Sequence, residues 1–261
     1  VTVSNVRNLD EDDIDGILSA GMSIMVYDTA NKRVEHVWSR DESGEATFTE
    51  YHYDSLGKLV YTISGSIRSD VENVSGISTS NVDNLDASDI DSLLSSGMSI
   101  AVYDTQDDRI DHVWAKDKEG ETSFTKYFYN SNGNLAYTIN GGTRSAVESV
   151  TGIDADSVGS LSYSQVNSRL LDGMSLSVYD VSENRVDHSW SKNDTGELTF
   201  TKYNYDSLGR LVFSVSGDNR SQVEGVTSIT TSNASNLSDS QAQSWIPAGV
   251  TVSVYDTVEN R

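Results

Sequence analysis

The 261-residue chain carries 40 acidic against 18 basic residues, a net charge of −22, so its surface repels nucleic acid and anionic membranes. It contains no cysteine, which excludes a disulfide framework, thiol chemistry and a Cys-ligated zinc site. No run approaches the roughly 18 apolar residues of a membrane span.

The sequence repeats itself every 76 residues without insertion or deletion. Tyr27-Asp28 returns as Tyr103-Asp104, Tyr179-Asp180 and Tyr255-Asp256, and Trp38 as Trp114 and Trp190. A fixed period marks an array and divides the chain into units 1–76, 77–152 and 153–228, with 229–261 beginning a fourth. It also argues against an enzyme, whose site would have to exist in three copies. Val1 opens directly in repeat sequence and Arg261 falls midway through a hairpin pattern. The expectation is therefore a piece of a longer protein, whose last 33 residues order by packing on the third unit.

Each unit begins with a short helix. Asp10 with Asp13, Ser162 with Gln165 and Ser238 with Gln241 have capping-box spacing, and Leu9 with Ile14 has that of a hydrophobic staple. Ile14, Ile17 and Leu18 then share one face over about ten residues, and Gly21 (Gly97, Gly173 and Gly249 in later copies) stands where a left-handed C-terminal cap is expected. Arg169 and Trp245 at the position of Ile17 place it at the margin of that face. Pro247 falls in the last turn of the fourth helix and should shorten or distort it.

After the glycine the period drops to 2. Met22, Ile24 and Val26 form one face of a first strand, and Val34, His36 and Trp38 one face of a second, with Glu35 pointing the other way. Asp28 and Arg33 flank the loop between them, as an ion pair or an Asp-capped turn. Asp41 to Gly44 reads as a type I turn, followed by a third strand through Phe48, Tyr51 and Tyr53. Asp54 to Gly57 turns the chain into a fourth strand that buries Leu59, Tyr61 and Ile63. Arg68 to Gly76 makes a one-turn helix or an irregular return, and Ile77, Val82 and Leu85 pack on the way to the next cap. The fold expected is α+β, in tandem repeats of one short N-terminal helix and an antiparallel four-stranded meander.

The stretch Gly196, Tyr203, Tyr205-Asp206-Ser207-Leu208-Gly209-Arg210-Leu211 resembles the YD repeat of Rhs-type and teneurin-like proteins. Gly44 to Leu59 does so with Tyr51, Tyr53-Asp54 and Gly57. Tyr129-Asn130 in the second copy departs from the pattern. The resemblance implies a non-catalytic hairpin element of extracellular or toxin-associated shells; a convergent Tyr-Asp-turn-Gly hairpin is the alternative reading.

Three sets of residues bear on function. His36, His112 and His188 recur beside Trp38, Trp114 and Trp190, without the partners that metal or acid–base work requires, and read with Gly21, Gly97 and Gly173 as structural. The acidic run from Asp10 to Gly16 lacks EF-hand ligand spacing; Asp28, Asp104 and Asp180 are the candidate calcium ligands, and no other cofactor is expected. Tyr27, Tyr51, Tyr103, Tyr127, Tyr179 and Tyr203 form aromatic columns able to stack on sugar rings if solvated, or to half-bury against their neighbours. The function expected is a stalk, spacer or fibre of a bacterial surface or secreted protein. The alternative is an adhesin module that binds glycan or calcium many times over. The partners expected are neighbouring repeats of the same chain, with a glycan or protein ligand in the second reading.

Overall fold

The computed structural model describes residues 6–256; Val1 and Arg261, which entered the sequence reading, lie outside the described residues. The protein is α+β and dominated by antiparallel strands, and it forms two compact units divided in the sequence between Thr125 and Lys126.

The first unit holds α1 (Glu11–Ile17), β1 (Ser23–Asp28), β2 (Arg33–Arg40), β3 (Ala46–Tyr53) and β4 (Leu59–Gly65). It continues with α2 (Arg68–Glu72), α3 (Ala87–Leu93), β5 (Met98–Asp104) and β6 (Arg109–Lys116). β7 (Thr122–Tyr129) contains the division. The second unit goes on through β8 (Leu135–Gly141), α4 (Arg144–Ser149), α5 (Tyr163–Asn167), β9 (Ser175–Asp180) and β10 (Arg185–Lys192). It ends with β11 (Leu198–Tyr205), β12 (Leu211–Gly217), α6 (Arg220–Glu224), α7 (Asp239–Trp245) and β13 (Val250–Val254). β1 to β6 pair in chain order in the first unit, and β8 to β13 in the second.

The helix starts follow their caps. Asp10, Asp86, Ser162 and Ser238 each accept from the backbone of the third helical residue, whose side chain accepts in return from the cap N–H. The reciprocal bonds satisfy donors that a helix end otherwise leaves orphaned. The helix ends differ from expectation. α1, α3 and α7 are seven residues and α5 is five; α1 and α3 end where the chain turns extended at Leu18 and Leu94, whose side chains are buried. Gly21 is left-handed, φ 75°, but it stands in a turn past the helix, closed by the Met22 N–H on the Ser19 carbonyl. Its own N–H donates to the Arg40 carbonyl at 2.8 Å, as Gly97 does to Lys116 and Gly173 to Lys192. These glycines therefore tie the incoming loop to the end of the following hairpin. Pro247 lies beyond α7, which keeps the length of α1 and α3.

Two β-bulges shift residues off their expected faces. Val26 pairs with His36 but Tyr27 pairs with Val34, so Glu35 is the extra residue and Val34 joins the face opposite His36 and Trp38. His52 pairs with Tyr61 but Tyr53 pairs with Leu59, which takes Leu59 off the Tyr61–Ile63 face. A bulge adds one residue to one strand and reverses the alternation beyond it.

Strand pairing runs on across the borders of the sequence repeat. Thr62 faces Ala101, Thr138 faces Ser177 and Ser214 faces Ser253, three pairs related by the same 76-residue step. At each border a glycine ends the earlier strand where the next strand closes on it. A Cβ on Gly65 would stand 3.0 Å from Met98 Cγ, one on Gly141 3.2 Å from Met174, and one on Gly217 3.1 Å from the Gly249 carbonyl oxygen. Met98 and Met174 are buried accordingly, whereas Met22, just before a strand paired only with β2 among the described residues, is 51% exposed. Because a backbone oxygen cannot give way as a methionine can, Gly217→Ala should cost about 1–3 kcal/mol and more than Gly65→Ala. Urea unfolding midpoints of the two variants measure the difference.

Candidate functional site

The element common to the three sequence copies is an aromatic cluster under the helices. Trp38, Trp114 and Trp190 are fully buried. Their rings lie 5.0, 4.7 and 4.7 Å from those of Phe48, Phe124 and Phe200. His36, His112 and His188 pack on the same phenylalanines at 5.1–5.2 Å. The indole N–H groups and the histidine Nε2 atoms meet no hydrogen-bond partner within the protein, a cost that ring burial must offset.

The bulge changes the expected surroundings of the histidines. Its extra residue does not point away: His112 Nδ1 lies 2.7 Å from the Asp111 carboxylate, His188 Nδ1 2.7 Å from that of Asp187, and His36 Nδ1 3.8 Å from that of Glu35. In the two 2.7 Å pairs the carboxylate only accepts, so the imidazole Nδ1–H donates. The His188 bond, with the Lys202 ammonium on the other oxygen, holds Asp187 well below the usual carboxylate range. His112 and His188 are thus oriented by a carboxylate, and each of the three imidazoles faces a phenylalanine ring.

Asp28, Asp104 and Asp180 close hairpin turns. Asp28 accepts from the N–H groups of Ala30 and Asn31 and from the Asn31 amide, Asp104 from the Gln106 N–H, and Asp180 from the N–H and hydroxyl of Ser182. These bonds lower the pKa of Asp28, led by Asn31, and of Asp180, led by Ser182. Arg33 also stands opposite Asp28, at 3.8 Å. Asp104 lines a shallow groove of about 430 Å³ with Asp54, Asp83 and Asp111. Among the described residues no group of three or more His, Cys, Asp or Glu is arranged to hold a metal ion.

The tyrosines stand on the face opposite the tryptophans. Tyr27 is 51% exposed, and Tyr51, Tyr103, Tyr127, Tyr179 and Tyr203 are half-buried. In the first unit burial, and then the neighbouring Tyr103, raise the Tyr51 pKa. In the second the Tyr203 hydroxyl lies 3.2 Å from that of Ser189.

One set of residues was visible in the sequence only as Arg-x-x-x-Glu. The Arg68 guanidinium lies 5.2 Å over the Phe48 ring, donates to the carbonyls of Arg7 and Leu9 and pairs with Glu72. Arg220 does the same over Phe200 with the carbonyls of Leu161 and Gly159 and with Glu224. The arginine thus spans from the last helix of a copy to the loop before its first. Nothing in the sequence names a carbonyl acceptor some sixty residues away.

No family model matches the chain, and no curated protein does. A solved structure, "Crystal Structure of TcdB2-TccC3-TEV", is similar over 76% of this chain and 10% of that one, at 12% identity and a TM-score of 0.26. So low a TM-score carries no argument about function. No helix among the described residues is long and apolar enough to cross a membrane.

Two expectations follow. Arg220→Met keeps the aliphatic stem but loses two carbonyl bonds, and should lower the unfolding free energy by roughly 1–3 kcal/mol, read by urea titration. Burial, then Arg68, pushes His36 below its usual 6.5. As pH falls the unfolded chain takes the proton first, so the stability His36 contributes is full above pH 6.5 and is lost as pH drops through the lower folded value. The unfolding midpoint should therefore fall between about pH 7.5 and about pH 5, and fall less in His36→Gln.

Proposed function

We propose that the chain is a structural segment, a stalk, spacer or fibre of a large extracellular bacterial protein, and that it does not catalyse. On this reading each 76-residue period is one helix-plus-meander module, joined to the next by strand pairing. The observation that carries it is the identical register at the borders, Thr62 with Ala101, Thr138 with Ser177 and Ser214 with Ser253. Repeats that join through one register can be added or removed in whole periods, so length is set by copy number. The recurrent buried residues support the same reading: Trp, His and Phe pack on one another, and a neighbouring carboxylate orients His112 and His188. The resemblance of Tyr205 to Leu211 to a YD repeat agrees with a shell or stalk element.

Excision of one whole period tests this directly. Without residues 77–152, β4 meets β9 in the register it now has with β5, and the shortened chain should unfold as cooperatively as the original. Removal of residues 77–114 places unlike strands together and should abolish cooperative unfolding. If both deletions behave alike by circular dichroism and urea titration, the modular spacer is wrong.

A further inference from the structure

The face of the second unit opposite its tryptophans has a composition foreign to a chain of charge −22. Thr138 pairs with Ser177, Ser177 with Ser189, Ser189 with Thr201, Thr201 with Ser216 and Ser216 with Thr251. Since cross-strand partners share a face, six neighbouring strands carry an unbroken row of hydroxyls. The charged residues of the strand interiors, Asp187 and Lys202, are grouped with His188. Charge on the hydroxyl side begins at the rim, where Arg185 lies 4.5 Å over the Tyr205 ring. The helices pack on the other face, where α4 and α6 set Val147 and Val223 against Gly141 and Gly217 and Tyr163 lies 6.2 Å from Trp190; within the row Thr138 is buried, Ser177, Ser189, Thr201 and Ser216 are half-buried and Thr251 is exposed.

Tyrosines flank the row on alternate strands, Tyr179 on β9, Tyr203 on β11 and Tyr255 after β13. Alternate strands lie about 9–10 Å apart, close to the advance of two rings along an extended glycan. The hydroxyls are within reach of one another: Thr201 and Ser216 oxygens are 2.9 Å apart, and the Ser214 and Tyr255 oxygens 3.3 Å. Uncharged hydroxyl donors and acceptors between tyrosine rings match a ligand that is itself hydroxylated, uncharged and flat-faced. An anionic ligand would meet the field of the whole chain. A cationic one would find no carboxylate in the row.

We infer that this face of the second unit binds a neutral polysaccharide laid across the strands, its sugar rings on Tyr179, Tyr203 and Tyr255 and its hydroxyls on the Ser177–Thr251 part of the row. The same row in the first unit reads Met25, Val37, Thr49, Ser64, Ser99 and Ala115, so half of its hydroxyls are missing and the second unit is the stronger site. Binding adds to the spacer role and does not rest on it; a chain that fails to bind can still be a spacer.

Affinity electrophoresis of the full chain through native gels containing hydroxyethylcellulose, laminarin or dextran tests the inference, with carboxymethylcellulose as the anionic comparison. At least one neutral polymer should retard the chain and carboxymethylcellulose should retard it less. Tyr179→Ala with Tyr203→Ala should weaken retardation about tenfold or more, and Ser177→Lys should weaken it by placing a charge in the row. Tyr203→Phe keeps the ring and should bind, while Tyr27→Ala with Tyr51→Ala in the first unit should have little effect. Near-ultraviolet circular dichroism establishes that each variant is folded. No retardation by any neutral polymer overturns the inference. So does equal retardation of the folded Tyr179→Ala, Tyr203→Ala chain, or a loss confined to the first-unit variant.

Discussion

The close approach of one strand to the glycine that ends its predecessor is the contact on which the rest of the structure depends. A strand edge left unpaired exposes a row of backbone donors and acceptors, and a segment of 76 residues buries a smaller fraction of its surface than a larger domain does. Pairing at the repeat borders answers both demands, because the edge of one copy becomes the interior of a sheet. The glycine lets the entering side chain cross the end of the earlier strand at close range: Met98 and Met174 lie 3.0 and 3.2 Å from where Cβ atoms of Gly65 and Gly141 would stand. The small helices then pack on that same end, with Val71 and Val147 against the two glycines. Border pairing, burial of the next copy's first strand and docking of the return helix thus converge on one residue without a side chain.

The bulge after the first strand serves the core in a comparable way. With regular alternation, Glu35, Asp111 and Asp187 would project from the face opposite their histidines, and the imidazole Nδ1–H would be buried without an acceptor. The extra residue lets the carboxylate turn back, 2.7 Å from the ring nitrogen in two of the copies. A half-exposed acid beside a buried imidazole supplies a charge-assisted bond at little desolvation cost, since the carboxylate keeps part of its hydration. Arg68 and Arg220 follow the same economy, spreading a guanidinium over a phenylalanine while their donors satisfy carbonyls of the loop before the first helix. In each case a polar group at the border of the apolar cluster fixes a segment that hydrophobic packing alone leaves free to slide.

What could be read beforehand was whatever is local in the chain. The capping pairs at Asp10, Ser162 and Ser238 are three residues long and were legible, as was the turn at Asp41 to Gly44. Trp38 and its copies marked a recurrent structural position by their spacing. The misplacements of Val34 and Leu59 share one cause, a bulge, for which alternation offers no signal because the pattern stays apolar on either side of it. Gly21 was read as a helix cap because left-handed glycines usually serve there, yet its N–H partner is Arg40, on the second strand. Lys32, Asp108 and Asn184, left-handed at φ 51–55° in the first hairpin loop, carry no glycine to betray them. The hydroxyl row is hidden in the sequence for a different reason: serines and threonines scattered along six strands form a row only when the register aligns them.

The two faces of the sheet in the second unit also divide the chemistry of the chain. Beneath the helices the strands place tryptophan, phenylalanine and a histidine whose acid and lysine partners are all used internally. On the other face the same strands alternate to serine, threonine and tyrosine. A sheet face serving only solubility would gain from charged side chains, which also blunt association between sheets. The sequence supplies such residues freely elsewhere: the acids crowd into caps and turns, as at Asp180, Asp206 and Asp239. Repetition of Ser, Thr and Tyr at the positions between them therefore withholds charge from one surface while spending it on every other. The first unit, with Met25, Val37 and Ala115 in the equivalent row, shows that the fold itself does not demand hydroxyls there. The border register accepts Thr62 against Ala101 as readily as Ser214 against Ser253, so strand pairing leaves these side chains free to be set by what lies above the face.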